Sequence, residues 1–314
     1  AVLHIGGRSV SKRLRVLIRD AVPDPYILVR PDPSRFDPDH RVTHHIETVP
    51  SAFCSAIMKR LTEATLATST DWTDQWTKAD QAVEKVFRAQ LGGLQNGDLM
   101  EKPTGSLNEP MLARMVTDCI LDDHALVLAS SMPVRDAHRF GAITGASVPV
   151  HANRGASGID GTLAMAAGLA VGQSGPVTCL IGDLATVHDL NSLALLQQAP
   201  VVVVLVNNSG GGIFHFLPIA EHEDVFEPYF ATPQAVDFSA GAAAFGVSYE
   251  AAESPSAFMT AYRSAAAEAS TDGTSSMIEV QTERNQNHAL HERLDALCAE
   301  AVRSVTNDEQ TEGS

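Results

Sequence analysis

Basic charge and aromatic bulk are both scarce in this sequence. Lys and Arg number 22 against 38 Asp and Glu, for a formal net charge of -16. So acidic a chain is a poor general surface for nucleic acid or for an anionic membrane. Any anionic ligand must find local basic residues against an unfavourable overall field. Aromatic residues make up 5%, and Ala, Gly and Val dominate the apolar set, a mixture suited to helices packed closely on a buried parallel sheet. The 4 cysteines, Cys54, Cys119, Cys179 and Cys298, lie too far apart for a paired-cysteine metal motif. Three of them sit in apolar contexts, as expected of a reduced, intracellular protein. No apolar run approaches a membrane span; the longest clean one, 199–206, is eight residues. A signal peptide, the Walker A sequence and the G-x-G-x-x-G fingerprint are also missing: "GASGIDG" (155–161) spaces its glycines three apart. No methionine initiates the chain, and "AVLHIGG" reads as a strand already under way. The expectation is a segment of something longer, whose targeting information lies in the missing part.

What is present is 314 residues with 44% hydrophobic content, room for one large domain or two ordinary ones. The first 50 residues read as strand, glycine turn, basic helix ("SKRLRVLIRD"), strand ("PYILVRPD") and a Pro/Asp-rich loop. Two helical patterns follow at 51–68 and 71–91, and "GGLQNGDLMEKPTG" (92–105) reads as a glycine-rich linker. From about 106 helices and apolar strands alternate. A helix at 109–121 starts on Ser, Asn, Glu and Pro, and strands "ALVLAS", "VPVHAN", "PVTCLIGD", "VVVVLVNN" and "SSMIEVQT" are spaced by helices, the last at about 287–304. This alternation predicts an α/β fold, a parallel sheet with helices on both faces, preceded by part of a second α/β domain. The expected division is 1–50, a helical connector and linker at 51–105, the main domain at 106–304 and a polar tail at 305–314.

Ligands in open parallel sheets sit at the carboxyl ends of the strands. Two successive strands here end in Gly182-Asp183 and Asn207-Asn208, with one helix between them. A carboxylate, an amide oxygen and a backbone carbonyl are hard donors suited to Mg²⁺ with room left for phosphate, and Gly210–Gly212 let backbone approach a ligand. Either pair alone also suits a helix cap or a turn. "NNS" (207–209) matches a glycosylation acceptor, but it closes an all-valine buried strand. His44, His45, His188, His215, His288 and His291 form no coherent metal set and read as structural or surface residues; imidazole is also a poor ligand for hard Mg²⁺.

Gly-Asp, some two dozen residues, then Asn-Asn resembles the metal-diphosphate motif of thiamine-diphosphate enzymes. Within that superfamily "SSMPVRD" (130–136), "NRGASGIDG" (153–161), "GDLATVHDLNSL" (182–193) and "NNSGGGIFHFLP" (207–218) are similar, in the right order, to stretches of the MenD family. These are the 2-succinyl-5-enolpyruvyl-6-hydroxy-3-cyclohexene-1-carboxylate synthases of menaquinone and phylloquinone biosynthesis. Weaker similarity runs from Gly6 to about Val302.

The resemblance implies a transferase that uses thiamine diphosphate with Mg²⁺ or Mn²⁺, decarboxylates 2-oxoglutarate and adds the remaining unit to isochorismate. It implies Asp183 and Asn208 as side-chain metal ligands and Gly210 as a carbonyl ligand. Gly182, Leu184 and Ile213 would join these at the cofactor, with Ile159 as the apolar wedge that bends it. Ser131, Arg135, Arg154 and Phe214 would line the substrate cavity. Lys12 and Arg13 would face substrate from a central, transhydrogenase-like domain ending near residue 50. Both substrates are dicarboxylates, which guanidinium groups bind in bidentate fashion. A homodimer or dimer of dimers is implied, with neither nucleic acid nor membrane as partner, in the cytoplasm, or in a plastid if a leader precedes Ala1.

The sequence departs from the family's pattern in three ways. Ala129-Ser130 stands where Gly-Asn is common, and the connection from Gln198 to Val201 is about two residues shorter than usual. The pyrimidine-binding domain is absent, and with it the glutamate that activates the cofactor. No glutamate of this chain takes that role, so the segment alone is expected to be inactive. The alternatives are another thiamine-diphosphate carboligase of the acetolactate-synthase type, or a noncatalytic cofactor-binding or assembly module.

Overall fold

The computed structural model of the chain describes residues 1–7, 11–34, 37–63, 70–95, 98–101, 106–142, 146–153 and 158–312, without the side chains of 63, 93–95, 98–101 and 307–312. It divides into two compact units, Ala1–Trp72 and Thr73–Ser314.

The first unit runs β1 (Val2–Ile5), α1 (Lys12–Ala21), β2 (Tyr26–Arg30), β3 (His44–Glu47) and α2 (Pro50–Glu63). The three strands form a parallel sheet in the order β1-β2-β3. Ser11 starts α1 by accepting the Leu14 N–H on its Oγ at 3.1 Å, the expected N-cap arrangement. β3 lies inside the stretch read from sequence as loop. All four of its residues are exposed, so no alternation betrays the strand, and only its backbone pairing with β2 defines it.

α3 (Asp71–Leu91) crosses the boundary between the units and matches its expected span. The expected linker after it instead contains a pair of short antiparallel strands, β4 (Gly93–Gln95) and β5 (Asp98–Glu101). Then come α4 (Glu109–Cys119), β6 (Ala125–Leu128), α5 (Met132–Phe140), β7 (Val150–Ala152), α6 (Thr162–Gln173), β8 (Val177–Gly182) and α7 (Asp183–His188). After a 3-10 helix at Leu190–Gln198 follow β9 (Val201–Asn207), α8 (Glu223–Phe226), α9 (Phe238–Ala244), β10 (Ser248–Ala251), α10 (Pro255–Asp272), β11 (Ser276–Gln281) and α11 (Arg284–Glu312).

Six strands form one sheet in the order β10-β11-β9-β8-β6-β7, every pair parallel. Successive side chains of a strand point to opposite faces, and here both faces are packed. Leu126, Leu180, Val202, Val204 and Ile278 meet Met111, Phe140, Phe258, Tyr262 and Leu294 from α4, α5, α10 and α11. Val127, Cys179, Ile181, Val203 and Leu205 meet Leu163, Ala166, Ala170, Leu193 and Ala242 from α6, the 3-10 helix and α9. This is the expected parallel sheet with helices on both faces. The small residues of α6 let helix and sheet backbones approach closely.

Two further expectations change. The segment 190–198 is 3-10 in geometry rather than α. The helix expected at about 287–304 is longer, since α11 continues to Glu312; extending an existing helix adds one hydrogen bond per residue and needs no new nucleus. Among the described residues, no helix is long and apolar enough to cross a membrane.

Candidate functional site

A cavity of about 310 Å³ opens where β6, β8 and β9 end. The register pairs Gly182 with Val206, so the residues after each strand emerge together at one edge. Asp183, at the start of α7, is 5% exposed. Its Oδ1 accepts the Leu184 N–H and its Oδ2 the Gly210 N–H, both at 2.7 Å. Burial pushes its pKa up, while those two amides and the charge of Arg284 pull it down.

The two asparagines after β9 do different work. Asn207 turns back to the sheet: its Nδ2 donates to Glu279 Oε1 at 2.7 Å, and its Oδ1 accepts the Ser209 N–H at 3.1 Å. Asn208 lines the cavity. Its Nδ2 donates to Glu109 Oε1 at 2.8 Å, and its Oδ1 is buried with no hydrogen-bond partner among the described residues.

Gly210 has φ +135°, and a Cβ there would overlap the Ala231 carbonyl, so both conformation and space require glycine. A Cβ on Gly212 would lie 2.6 Å from Asn208 Nδ2; its absence leaves the amide its position.

On the β6 side Ser131 precedes α5 with φ 77° and ψ -134°, a conformation L-residues rarely take. Its carbonyl accepts from Arg135 Nη1 at 2.5 Å. Behind Arg135, Asp136 also lines the cavity and is 2% exposed. Its Oδ1 lies 3.3 Å from Nε2 of His291. Burial raises the Asp136 carboxyl well above its ordinary range and pushes His291 down to about 3. Burial thus favours the neutral form of both groups.

Of the residues expected from sequence, Ser131, Arg135, Ile159, Gly182, Asp183, Leu184, Asn208, Gly210, Ile213 and Phe214 line this one cavity. Lys12 and Arg13 belong to the first unit, exposed in the first turn of α1. Arg154 lies outside the described residues. Sequence reasoning missed Glu109 and Asp136. Glu109, read as an ordinary helix-start residue, is 4% exposed and lines the cavity. Its carboxyl is raised by burial, against the hydrogen bonds from Asn208 and Thr282. Nothing in a Glu before Pro at a helix start signals that it turns inward. His291 is likewise buried, packed edge-on against Phe140 and Phe216.

Among the described residues no cluster of three or more His, Cys, Asp and Glu side chains could hold a metal ion. The donor set is of another kind: one buried carboxylate, one orphaned amide oxygen and glycine backbone. A buried oxygen without a donor is costly unless something else satisfies it, and a hard divalent cation does so. The residues present fit a metal-bridged diphosphate.

Known proteins resemble the chain in sequence and in fold. Residues 136–280 match the family described as thiamine pyrophosphate enzyme, C-terminal TPP binding domain. The chain is 51% identical over 302 residues to a 2-succinyl-5-enolpyruvyl-6-hydroxy-3-cyclohexene-1-carboxylate synthase of Salinibacter ruber, covering 96% of this chain and 48% of the relative. It is 46% identical to the enzyme of that name in Rubrobacter xylanophilus, over 94% of this chain and 48% of the relative. The chain thus spans about half the length of the curated relatives it matches. An X-ray structure of a candidate thiamin diphosphate-dependent enzyme from Mycobacterium smegmatis superposes with a TM-score of 0.52 at 18% identity, over 83% of this chain and 44% of that one, a likeness of fold.

Proposed function

We propose that the chain, similar over about half their length to the 2-succinyl-5-enolpyruvyl-6-hydroxy-3-cyclohexene-1-carboxylate synthases, forms the diphosphate- and metal-binding half of such an enzyme's site. The observation that carries the reading is the orphaned Asn208 Oδ1 beside buried Asp183 in a cavity at the sheet's carboxyl edge. Asp183, Asn208 and the Gly210 carbonyl would hold Mg²⁺ or Mn²⁺. Gly182 and Leu184 supply backbone next to it, and Ile159 and Ile213 supply apolar walls. When bound, thiamine diphosphate supplies an electron sink through which 2-oxoglutarate loses CO₂ and the remaining four-carbon unit adds to isochorismate.

The chain's own residues orient and exclude. Arg135, held near the Ser131 carbonyl, offers a guanidinium to a substrate carboxylate. Met132, Pro133 and Phe214 keep water from the reacting end. Lys12 and Arg13 begin α1, where cations oppose the helix dipole; their place favours attraction of an anionic substrate over helix stability. Arg154 is assigned to substrate by its place in the sequence "NRGASGIDG". The activating glutamate comes from elsewhere in a homodimer or dimer of dimers, in the cytoplasm.

The test is CO₂ release from 2-oxoglutarate with consumption of isochorismate, dependent on thiamine diphosphate and Mg²⁺, by the protein that carries this chain. Release from pyruvate in its place, with isochorismate untouched, overturns the substrate assignment.

A further inference from the structure

We propose that Glu109 is a positioning residue that sets which atom of the Asn208 amide faces the cavity, a role that rests on the metal-site reading above. An asparagine side chain has two nearly isosteric ends, an acceptor oxygen and a donor NH₂. Only the oxygen can ligate a cation, so a metal site built on Asn needs a device to choose between them. Here the device is a single carboxylate oxygen. Glu109 Oε1 accepts from Asn208 Nδ2 at 2.8 Å and from Thr282 Oγ1 at 3.2 Å. With two donors on it, this oxygen acts as an acceptor whether or not the other carboxyl oxygen carries a proton. Turning the Asn208 amide over would set two acceptors against each other in a buried place. The present orientation instead leaves Oδ1 without a protein partner.

The device is built from three elements that meet only in the folded chain. Glu109 is the first residue of α4, Asn208 follows β9, and Thr282 follows β11. Thr282 is itself tied to β9, its N–H donating to the Asn207 carbonyl at 2.9 Å. The N-cap bond of Asn108 to the Met111 N–H, 3.0 Å, fixes the start of α4 and with it the Glu109 backbone. Gly212 completes the arrangement by leaving room for Nδ2.

Mn²⁺ titrated with thiamine diphosphate present, with free Mn²⁺ read by electron paramagnetic resonance, tests the proposal on the full chain. Glu109→Ala is expected to weaken Mn²⁺ binding about 10- to 100-fold, the effect usual for groups that orient a metal ligand. Glu109→Gln keeps an acceptor oxygen for both donors and is expected to restore binding to within about 3-fold, a rescue that a purely packing role would not discriminate so sharply. Wild-type affinity in a folded Glu109→Ala protein overturns the proposal. If Glu109→Ala does not fold, the wild-type chain decides through the Asn208 side-chain amide resonances, assigned with Asn208→Asp. Protection of those NH₂ protons from solvent exchange, persisting when Mg²⁺ and thiamine diphosphate are added, supports the proposal. Exchange at the rate of an exposed amide overturns it. Failure of the wild-type chain to bind Mn²⁺ under any of these conditions overturns the functional reading instead.

Discussion

Ser131 and Gly212 show how much of this site is set by backbone rather than by reactive groups. Ser131 holds φ 77° with a side chain in place, a conformation that costs a non-glycine residue about 1–3 kcal/mol. Ser131→Gly is therefore expected to stabilise the fold by about 1 kcal/mol in urea unfolding, part of the relief being offset by the greater freedom of glycine when unfolded. Gly212→Ala places a methyl against Asn208 Nδ2. Its expected signature is a loss of Mn²⁺ affinity of about 10-fold or more with little change in far-UV circular dichroism. At this level the sequence was informative about residue types and silent about directions. The pair at 207–208 reads as two equivalent asparagines, whereas in the fold Glu279 engages the first and the second lines the cavity.

α6 illustrates what a helix here takes from its neighbours. Its N-cap position is Gly161, which has no side chain to offer, and the first-turn amides turn to Asp189 instead. Asp189 Oδ2 accepts from Leu163 N–H at 2.7 Å and Ala164 N–H at 3.2 Å, and Oδ1 accepts from Ser192 Oγ at 2.6 Å. Asp189→Ala is expected to lower unfolding stability by about 1–3 kcal/mol, and Asp189→Asn by less, as read from denaturant midpoints. The same bonds tie α6, which follows Ile159, to the turn that follows Asp183, so the variant should also loosen the cavity wall. Helix and strand order was legible because apolar runs and glycine breaks repeat along residues 106–304. The strand at Ser248–Ala251 was not, since three of its four residues are exposed and no alternation marks it.

Across the second unit, buried titratable groups set the response to acid. His124 is held by Thr178 Oγ1 at 3.0 Å and the Ala266 carbonyl at 3.3 Å, and burial lowers its pKa. The folded state then binds fewer protons than the unfolded one below an unfolded value of about 6.5. Its contribution is complete above that pH and is lost as pH falls below it, by up to about 1.4 kcal/mol per pH unit. His291, pushed down to about 3 by burial, contributes in the same sense as His124, and the raised Asp136 carboxyl opposes it. Urea midpoints measured from pH 7 to pH 5 should fall, and His124→Gln should flatten that fall. Mg²⁺ with thiamine diphosphate at about 100 times its dissociation constant should stabilise the fold by about 2.7 kcal/mol, reversed by EDTA. Composition and periodicity were enough for the parallel α/β class, because buried strands must be apolar and must alternate with helices to cover both faces. Gly182-Asp183 and Asn207-Asn208 were enough to point to one edge of that sheet, since consecutive strand ends in a parallel sheet share an edge. Glu109, Asp136 and His291 came to light only in the fold. They lie far apart along the chain in ordinary helical contexts, and burial and hydrogen-bond direction, which carry their roles, are properties of packed neighbours rather than of residue order.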